Sequence, residues 1–307
     1  MNKNLNLSVN IAGVQWKNPV TVASGTFASG KEYGEFVDIS RLGAITTKGV
    51  SPKPWAGNAV PRVAETYGGM LNAIGLQNPG VEAFIENDLL FLRDSGTVVI
   101  VNVCGHRVEE YCQVAQRLTE EGGVDMLELN ISCPNVSVGG MAFGTNWKEA
   151  EKVVDAVRKV TNLPIIVKLS PNVTDIEVIA KAAEGKGADA ISMINTLTGM
   201  KIDINTRKPV LARGIGGLSG PAIRPVAVRC VYQVAACVKI PIIGMGGIMT
   251  GEDALEFIMA GANAVAVGTA NFANPYATME VLAGIEKYMA KNGIIDINEL
   301  VGIAHRG

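Results

Sequence analysis

One recurrence restricts the fold of this chain more than any other feature: a short apolar run rich in β-branched residues, then a polar or glycine corner, then apolar residues at helical spacing. The runs occupy residues 19–24, 44–48, 98–103, 126–131, 165–169, 190–195, 240–245 and 264–268. Helical spacing follows at 108–121, 147–160, 175–186, 222–238, 252–260 and 275–291. Strands alternating with helices need right-handed crossovers, which lay the strands side by side in a parallel sheet. Eight such strands close on themselves, so the pattern predicts an α/β chain folded over 1–307 as a single (β/α)8 TIM barrel domain. The connections 24–44 and 48–98 are less clearly helical, and the second is long. Segment 5–14, turning at Gly13 into 15–20, reads as a β-hairpin capping the N-terminal end of the barrel.

Barrel active sites sit on the loops that follow the strands, so the residues just past each run are the candidates. In chain order they are Ser24, Gly25 and Thr26; Lys48 and Gly49; Asn102; Asn130, Ser132 and Cys133; Lys168 and Ser170; Asn195 and Thr196; Gly246 and Gly247; Gly268 and Thr269. Glycine corners after the seventh and eighth strands stand where barrels offer backbone N–H groups to a phosphate, although each alone is equally a plain turn. The run 214–220, Gly-Ile-Gly-Gly-Leu-Ser-Gly, has the wrong spacing for a dinucleotide fingerprint and follows no predicted strand. No nicotinamide site is read in the chain.

Lys168 is alone in an apolar run, and an unpaired buried ammonium costs several kcal/mol, so it faces either a polar ligand or a carboxylate within the barrel. Lys48 poses the same alternative. Two cations aimed into one mouth point to an anionic ligand, or to one that becomes anionic during reaction. Cys133, followed by Pro134, is either an inert small hydrophobe or, beside two lysines, a thiol suited to act as nucleophile or general base. Cys104, Cys112, Cys230 and Cys237 are too widely spaced for zinc or iron–sulfur ligation. The last two share one helical pattern and are expected in the core. His106 and His305 form no metal pair and are expected on the surface.

Lys and Arg total 27 against 29 Asp and Glu, a formal charge of -2, which excludes a general electrostatic footprint for nucleic acid or an anionic membrane. The uncharged stretch 257–279 is interrupted by Gly261, Asn263, Gly268, Asn271, Asn274 and Pro275, so it reads as helix end, strand and loop rather than a membrane span. Five cysteines without an export signal fit reduced thiols and a cytoplasmic location.

Taken together, the segments Ala23-Ser-Gly-Thr, Thr46-Thr-Lys-Gly, Asn72-Ala-Ile-Gly-Leu-Gln-Asn-Pro-Gly, Glu128-Leu-Asn-Ile-Ser-Cys-Pro-Asn, Val167-Lys-Leu-Ser-Pro, Gly244-Met-Gly-Gly-Ile and Val267-Gly-Thr-Ala resemble the dihydroorotate dehydrogenases. The resemblance spans the first strand to the last. Cysteine in the Ser-Cys-Pro-Asn loop resembles class 1, since the membrane-associated class has serine there and an N-terminal extension. The segments starting at Gly75 and Gly139 resemble the class 1B catalytic subunit.

The resemblance implies an FMN-dependent oxidation of (S)-dihydroorotate to orotate in pyrimidine biosynthesis. The FMN phosphate would lie on Gly246, Gly247, Gly268 and Thr269, with Gly220 near the same loop; Ser24, Lys48, Gly49, Asn102, Asn130, Lys168 and Ile194 would contact the flavin. Substrate would be held by Lys48, the loop Asn72, Ala73, Ile74, Gly75 and Leu76, and by Asn130, Asn195 and Thr196. Cys133 would take the C5 proton while hydride leaves C6, Lys168 would neutralise reduced flavin, and residues 134–144 would form a lid. A class 1B enzyme would pass its electrons through a partner subunit holding FAD and a [2Fe-2S] cluster to NAD+, with a homodimer at the core of a heterotetramer. The alternatives are a class 1A homodimer that reduces fumarate, another FMN barrel such as a dihydropyrimidine dehydrogenase or a dihydrouridine reductase, a phosphate-sugar enzyme using Lys168 as a Schiff base, and a silent binding barrel. The last leaves the placement of Cys133 and the lysines unexplained.

Overall fold

The computed structural model describes residues 5–132 and 143–306. Eight parallel strands form its centre: β1 (Val20–Val22), β2 (Ala44–Thr46), β3 (Val98–Val103), β4 (Met126–Asn130), β5 (Ile165–Lys168), β6 (Ala190–Met193), β7 (Ile242–Met245) and β8 (Ala264–Val267). Their spatial order is β1-β8-β7-β6-β5-β4-β3-β2. The barrel closes where the Gly43 N–H donates to Val20 O at 2.9 Å and Thr21 Oγ1 donates to Ala44 O at 2.9 Å. All eight strands lie where the apolar runs predict them, because a strand covered on both faces needs a near-continuous apolar run.

The helices Val108–Glu121, Trp147–Arg158, Ile176–Gly185, Arg224–Ala235, Gly251–Met259 and Ala277–Asn292 form the outer ring. Their boundaries follow local chemistry. Asn146 and Asp175 accept backbone N–H bonds as N-caps, Thr250 and Asp253 form a capping box, and Gly293 at φ 70° ends the last helix. The inner faces, such as Val114, Ala115 and Leu118, or Val153, Val154 and Val157, are fully buried against the sheet. The stretch 257–279 breaks into a helix end, β8, the short helix Ala270–Ala273 and the start of the last helix. Among the described residues no helix is long and apolar enough to cross a membrane.

The N-terminal hairpin pairs Val9–Ile11 with Val14–Trp16. Its Asn10 and Ala12 lie beside 238–242 and Asn263, which lead into β7 and β8, so it covers the N-terminal end of the barrel.

The connections after β2 and β6 hold what the pattern did not announce. Val63–Thr66 and Gly69–Asn72, from the loop after β2, pair with Leu197–Met200 and Ile215–Ser219, from the loop after β6, in a four-stranded antiparallel sheet. The glycine run 214–220 is therefore itself mostly a strand, which its sequence did not signal. Its glycines serve close packing, since a Cβ on Gly216 would stand 2.7 Å from Asn72 O. The loop after β2 also holds a helical stretch over 81–93 with a π-helical turn at Phe84–Leu89.

Cys230 is buried in the core, whereas Cys237 lies past the end of its helix and is only half-buried. His106 and His305 are exposed, His106 tilted against the Trp55 ring and His305 stacked on Tyr232.

Candidate active site

The loops at the C-terminal ends of the strands and the antiparallel sheet above them enclose a cavity of about 830 Å³. That is large for a single small ligand and lies in the upper range of small-molecule sites. Eighteen of the residues singled out from the sequence line it: Ser24, Gly25, Thr26, Lys48, Asn72, Ile74, Gly75, Leu76, Asn130, Lys168, Ile194, Asn195, Thr196, Gly220, Gly246, Gly247, Gly268 and Thr269. Gly49, Ala73, Asn102, Ser132 and Ser170 do not, and both serines are buried. Gly49 is buried behind the wall, where a Cβ would meet Asn102 Oδ1 at 3.0 Å; Ala73 packs with Leu71 and Leu211 in a small cluster of its own; Asn102 is fully buried beneath the floor. Cys133 and residues 134–142 lie outside the described residues.

One end of the cavity is built of glycine. Gly246 and Gly247 follow β7 with φ 128° and 84°, a region open to glycine but strained for other residues. A Cβ on Gly247 would lie 2.8 Å from Gly220 O and 2.9 Å from Arg224 Cβ, so the loops are as close as backbones permit. Among the described residues, the N–H groups of Gly246, Gly247, Gly268 and Thr269 donate to no protein acceptor. Unpaired donors around a glycine cradle are what a phosphate needs, and the cradle fits one.

The other end is amide and cation. Sheet register sets its floor: Asn102 lies beside Glu128, Asn130 beside Lys168, and Lys168 beside Ser192, all within the barrel. Lys168 is 5% exposed; its Nζ donates to Ser24 Oγ at 3.4 Å and lies 4.0 Å from Glu128 Oε2. The carboxylate alternative for this lysine holds, since Glu128 sits below it, and its other side lines the cavity. Glu128 itself gave no site signal in the sequence, being one acid within an apolar run. Asn130 accepts from Ser132 Oγ at 3.0 Å, and Asn195 Nδ2 donates to the same Ser132 Oγ at 2.5 Å.

Two further cations, Arg62 and Arg213, reach the cavity from the loops that lead into the strands Val63–Thr66 and Ile215–Ser219 of the antiparallel sheet. Arg62 donates to Gln77 Oε1, and Arg213 Nη1 reaches Asn58 Oδ1 at 3.5 Å. With Lys48 and Lys168 they make four cations, and no Asp or Glu lines the cavity among the described residues. Such a lining attracts anions and stabilises negative charge that develops on a bound group.

A closed eight-stranded barrel with a phosphate cradle and a cationic, asparagine-lined mouth defines an enzyme of the (β/α)8 class that acts on a small anionic ligand. Comparison with known proteins narrows this. The family model described as dihydroorotate dehydrogenase matches residues 6–289. A protein of Lachnoclostridium phytofermentans named dihydroorotate dehydrogenase B (NAD(+)), catalytic subunit, is 67% identical over 298 residues, covering 97% of this chain and 99% of its own. A protein of the same name from Alkaliphilus oremlandii is 63% identical, covering 97% and 98%. The crystal structure of DHODH in complex with ferulenol from Eimeria tenella shares the fold with a TM-score of 0.84 at 23% identity, over 100% of this chain and 90% of that one. The chain belongs to the dihydroorotate dehydrogenase family.

Proposed function

We propose that this chain is the catalytic subunit of an NAD+-linked dihydroorotate dehydrogenase, oxidising (S)-dihydroorotate to orotate. The observation that carries the reading is the pairing, in one cavity, of a glycine cradle whose four N–H donors are unpaired among the described residues and an amide-lined end with no carboxylate among the described residues. The cradle is read as the phosphate site of FMN. When bound, FMN supplies the electron sink that takes the hydride from C6 of the substrate.

This chain's own residues do the rest. Gly246, Gly247, Gly268 and Thr269 donate to the phosphate, with Gly220 packed against that loop. Ser24, Lys48, Asn130, Lys168 and Ile194 line the flavin's bed, while Gly49 and Asn102 support it from behind the wall and beneath the floor. Lys168 stands ready to balance negative charge at the ring edge, and Lys48 pairs with the substrate carboxylate. The loop Asn72 to Leu76, with Ala73 buried as its anchor, and Asn130, Asn195 and Thr196 match the donors and acceptors of a planar pyrimidine. An analogue lacking one such group leaves a protein partner unpaired, which is the basis of selectivity. Cys133 is assigned as the base that takes the C5 proton, and residues 134–144 as the cover that excludes water.

Electrons leave through a second subunit, read as one holding FAD and a [2Fe-2S] cluster, in a heterotetramer built on a homodimer of this chain in the cytoplasm. The name catalytic subunit carried by the relatives supports a partner. The test is expression of this chain alone and with its partner. Alone it should purify yellow with one FMN per chain, bleach anaerobically with dihydroorotate, and leave NAD+ unreduced; together they should reduce NAD+. Colourless protein that binds no FMN would overturn the cofactor reading, and rapid fumarate reduction by the lone chain would overturn the NAD+-linked one.

A further inference from the structure

Two carboxylates are buried among the described residues, Asp253 and Glu128. Asp253 caps a helix by accepting from the backbone N–H of Met249 and Thr250. Glu128 caps nothing. It sits within the barrel on β4, two residues before Asn130, beneath the cavity and not in its lining.

A carboxylate accepts hydrogen bonds and cannot donate them, whereas a primary amide or a hydroxyl reads equally well in either direction. Glu128 Oε2 accepts from Asn102 Nδ2 at 2.5 Å, and Oε1 accepts from Ser192 Oγ at 2.6 Å. Asn102 must therefore turn its carbonyl oxygen the other way, where it accepts from Asn130 Nδ2 at 3.3 Å. Asn130 Oδ1 in turn accepts from Ser132 Oγ at 3.0 Å, Ser132 Oγ accepts from Asn195 Nδ2 at 2.5 Å, and Asn195 Oδ1 accepts from the Thr196 N–H at 2.8 Å. The chain ends on Asn130, Asn195 and Thr196, which all line the cavity.

We propose that Glu128 is a positioning residue: as the acceptor-only end of the Asn102–Asn130–Ser132–Asn195 chain, it sets which way each amide faces and hence the donor pattern shown to the pyrimidine. The same carboxylate lies 4.0 Å from Lys168 Nζ and offsets its charge beneath the flavin. This rests on the flavin and substrate reading proposed above, and the experiment separates the two.

Wild type, Glu128→Gln and Ser192→Ala are purified with FMN, orotate affinity is read from the flavin absorbance, and the midpoint potential of the bound flavin is measured. A glutamine can donate as well as accept, so the chain loses its direction. Glu128→Gln should keep FMN, bind orotate about tenfold more weakly, as expected for a misdirected hydrogen bond to a charged group, and move the flavin potential upward because a negative charge near Lys168 is gone. Ser192→Ala leaves the carboxylate but frees one of its oxygens, and should weaken orotate by about threefold. Should Glu128→Gln fail to fold, Ser192→Ala decides by that loss. Orotate affinity within twofold of wild type in the folded variants, or weaker orotate binding with an unchanged or lowered flavin potential in Glu128→Gln, overturns the proposal. A wild-type chain that binds no FMN overturns the site reading and this inference with it.

Discussion

Gly247→Ala is the sharpest test of the phosphate cradle. The native residue has φ 84°, and an added Cβ would lie 2.8 Å from Gly220 O, 2.9 Å from Arg224 Cβ and 3.1 Å from Arg224 N. Gly220 has no room to withdraw, since a Cβ there would already lie 2.6 Å from Gly69 Cα. A left-handed conformation costs a non-glycine residue about 1–2 kcal/mol, and overpacking adds about 1–3 kcal/mol. The variant relieves both by opening the cradle, which withdraws N–H donors from the phosphate. At about 1.4 kcal/mol per factor of ten, the Kd for FMN should rise at least about tenfold. Apoprotein titrated with FMN, followed by quenching of flavin fluorescence, reads this directly. Gly293→Ala is the control: φ is 70° there too, but nothing lies within 4 Å of the new Cβ. It should lower fold stability by about 1 kcal/mol and leave the FMN Kd unchanged. If Gly247→Ala purifies with stoichiometric flavin and a Kd within twofold of wild type, the phosphate does not lie on this loop.

Other outcomes follow from the same geometry. Cys133→Ser should lower kcat/KM by about a hundredfold and lose the rise of activity with pH through a thiol titration near about 8.5; full activity with an unchanged profile would remove Cys133 as the base. Lys168→Met leaves Glu128 buried without its cation and should destabilise the apoprotein to urea by about 3–5 kcal/mol, and a loss under about 1 kcal/mol would show that the pair does not matter to the fold. Burial pushes the Cys230 thiol up, so its neutral form is the one the fold favours. That contribution to stability is complete below the unfolded thiol value of about 8.5 and is lost as pH rises through the higher folded value, so urea midpoints should decline in that window. Cys230 should likewise resist a disulfide reagent at pH 8 until the protein is unfolded, and rapid labelling of the native state would contradict its burial.

Much of the site was legible before any fold was known, because the barrel rule converts a strand's end into a position at the active mouth. Lys48, Asn130, Lys168, Asn195 and the glycine corners after β7 and β8 all came from that rule, and all line the cavity. Ile194, Gly220 and the loop from Asn72 to Leu76 carried no local signal of their own and were marked by family resemblance alone. Gly49 and Asn102 show where the rule overreaches: each follows or ends a strand, yet pleat and packing turn them behind the lining.

Periodicity by itself determined the eight strands, the surrounding helices and the N-terminal hairpin, since burial on one face or two leaves its period in the apolar residues. The four-stranded sheet over the mouth was decided only by tertiary structure. Its pairs join Leu197 to Leu218 within the loop after β6 and Leu71 to Leu218 across to the loop after β2, so the sheet needs two loops far apart in sequence, with glycines where side chains would mark a pattern. The places of Arg62 and Arg213 on the cavity wall and of Glu128 beneath it were decided the same way. A single charged residue in a sequence has no direction or partner until closure of the barrel brings Ser192 and Lys168 to the Glu128 carboxylate, because electrostatic and hydrogen-bond energies depend on distances that only the folded chain defines.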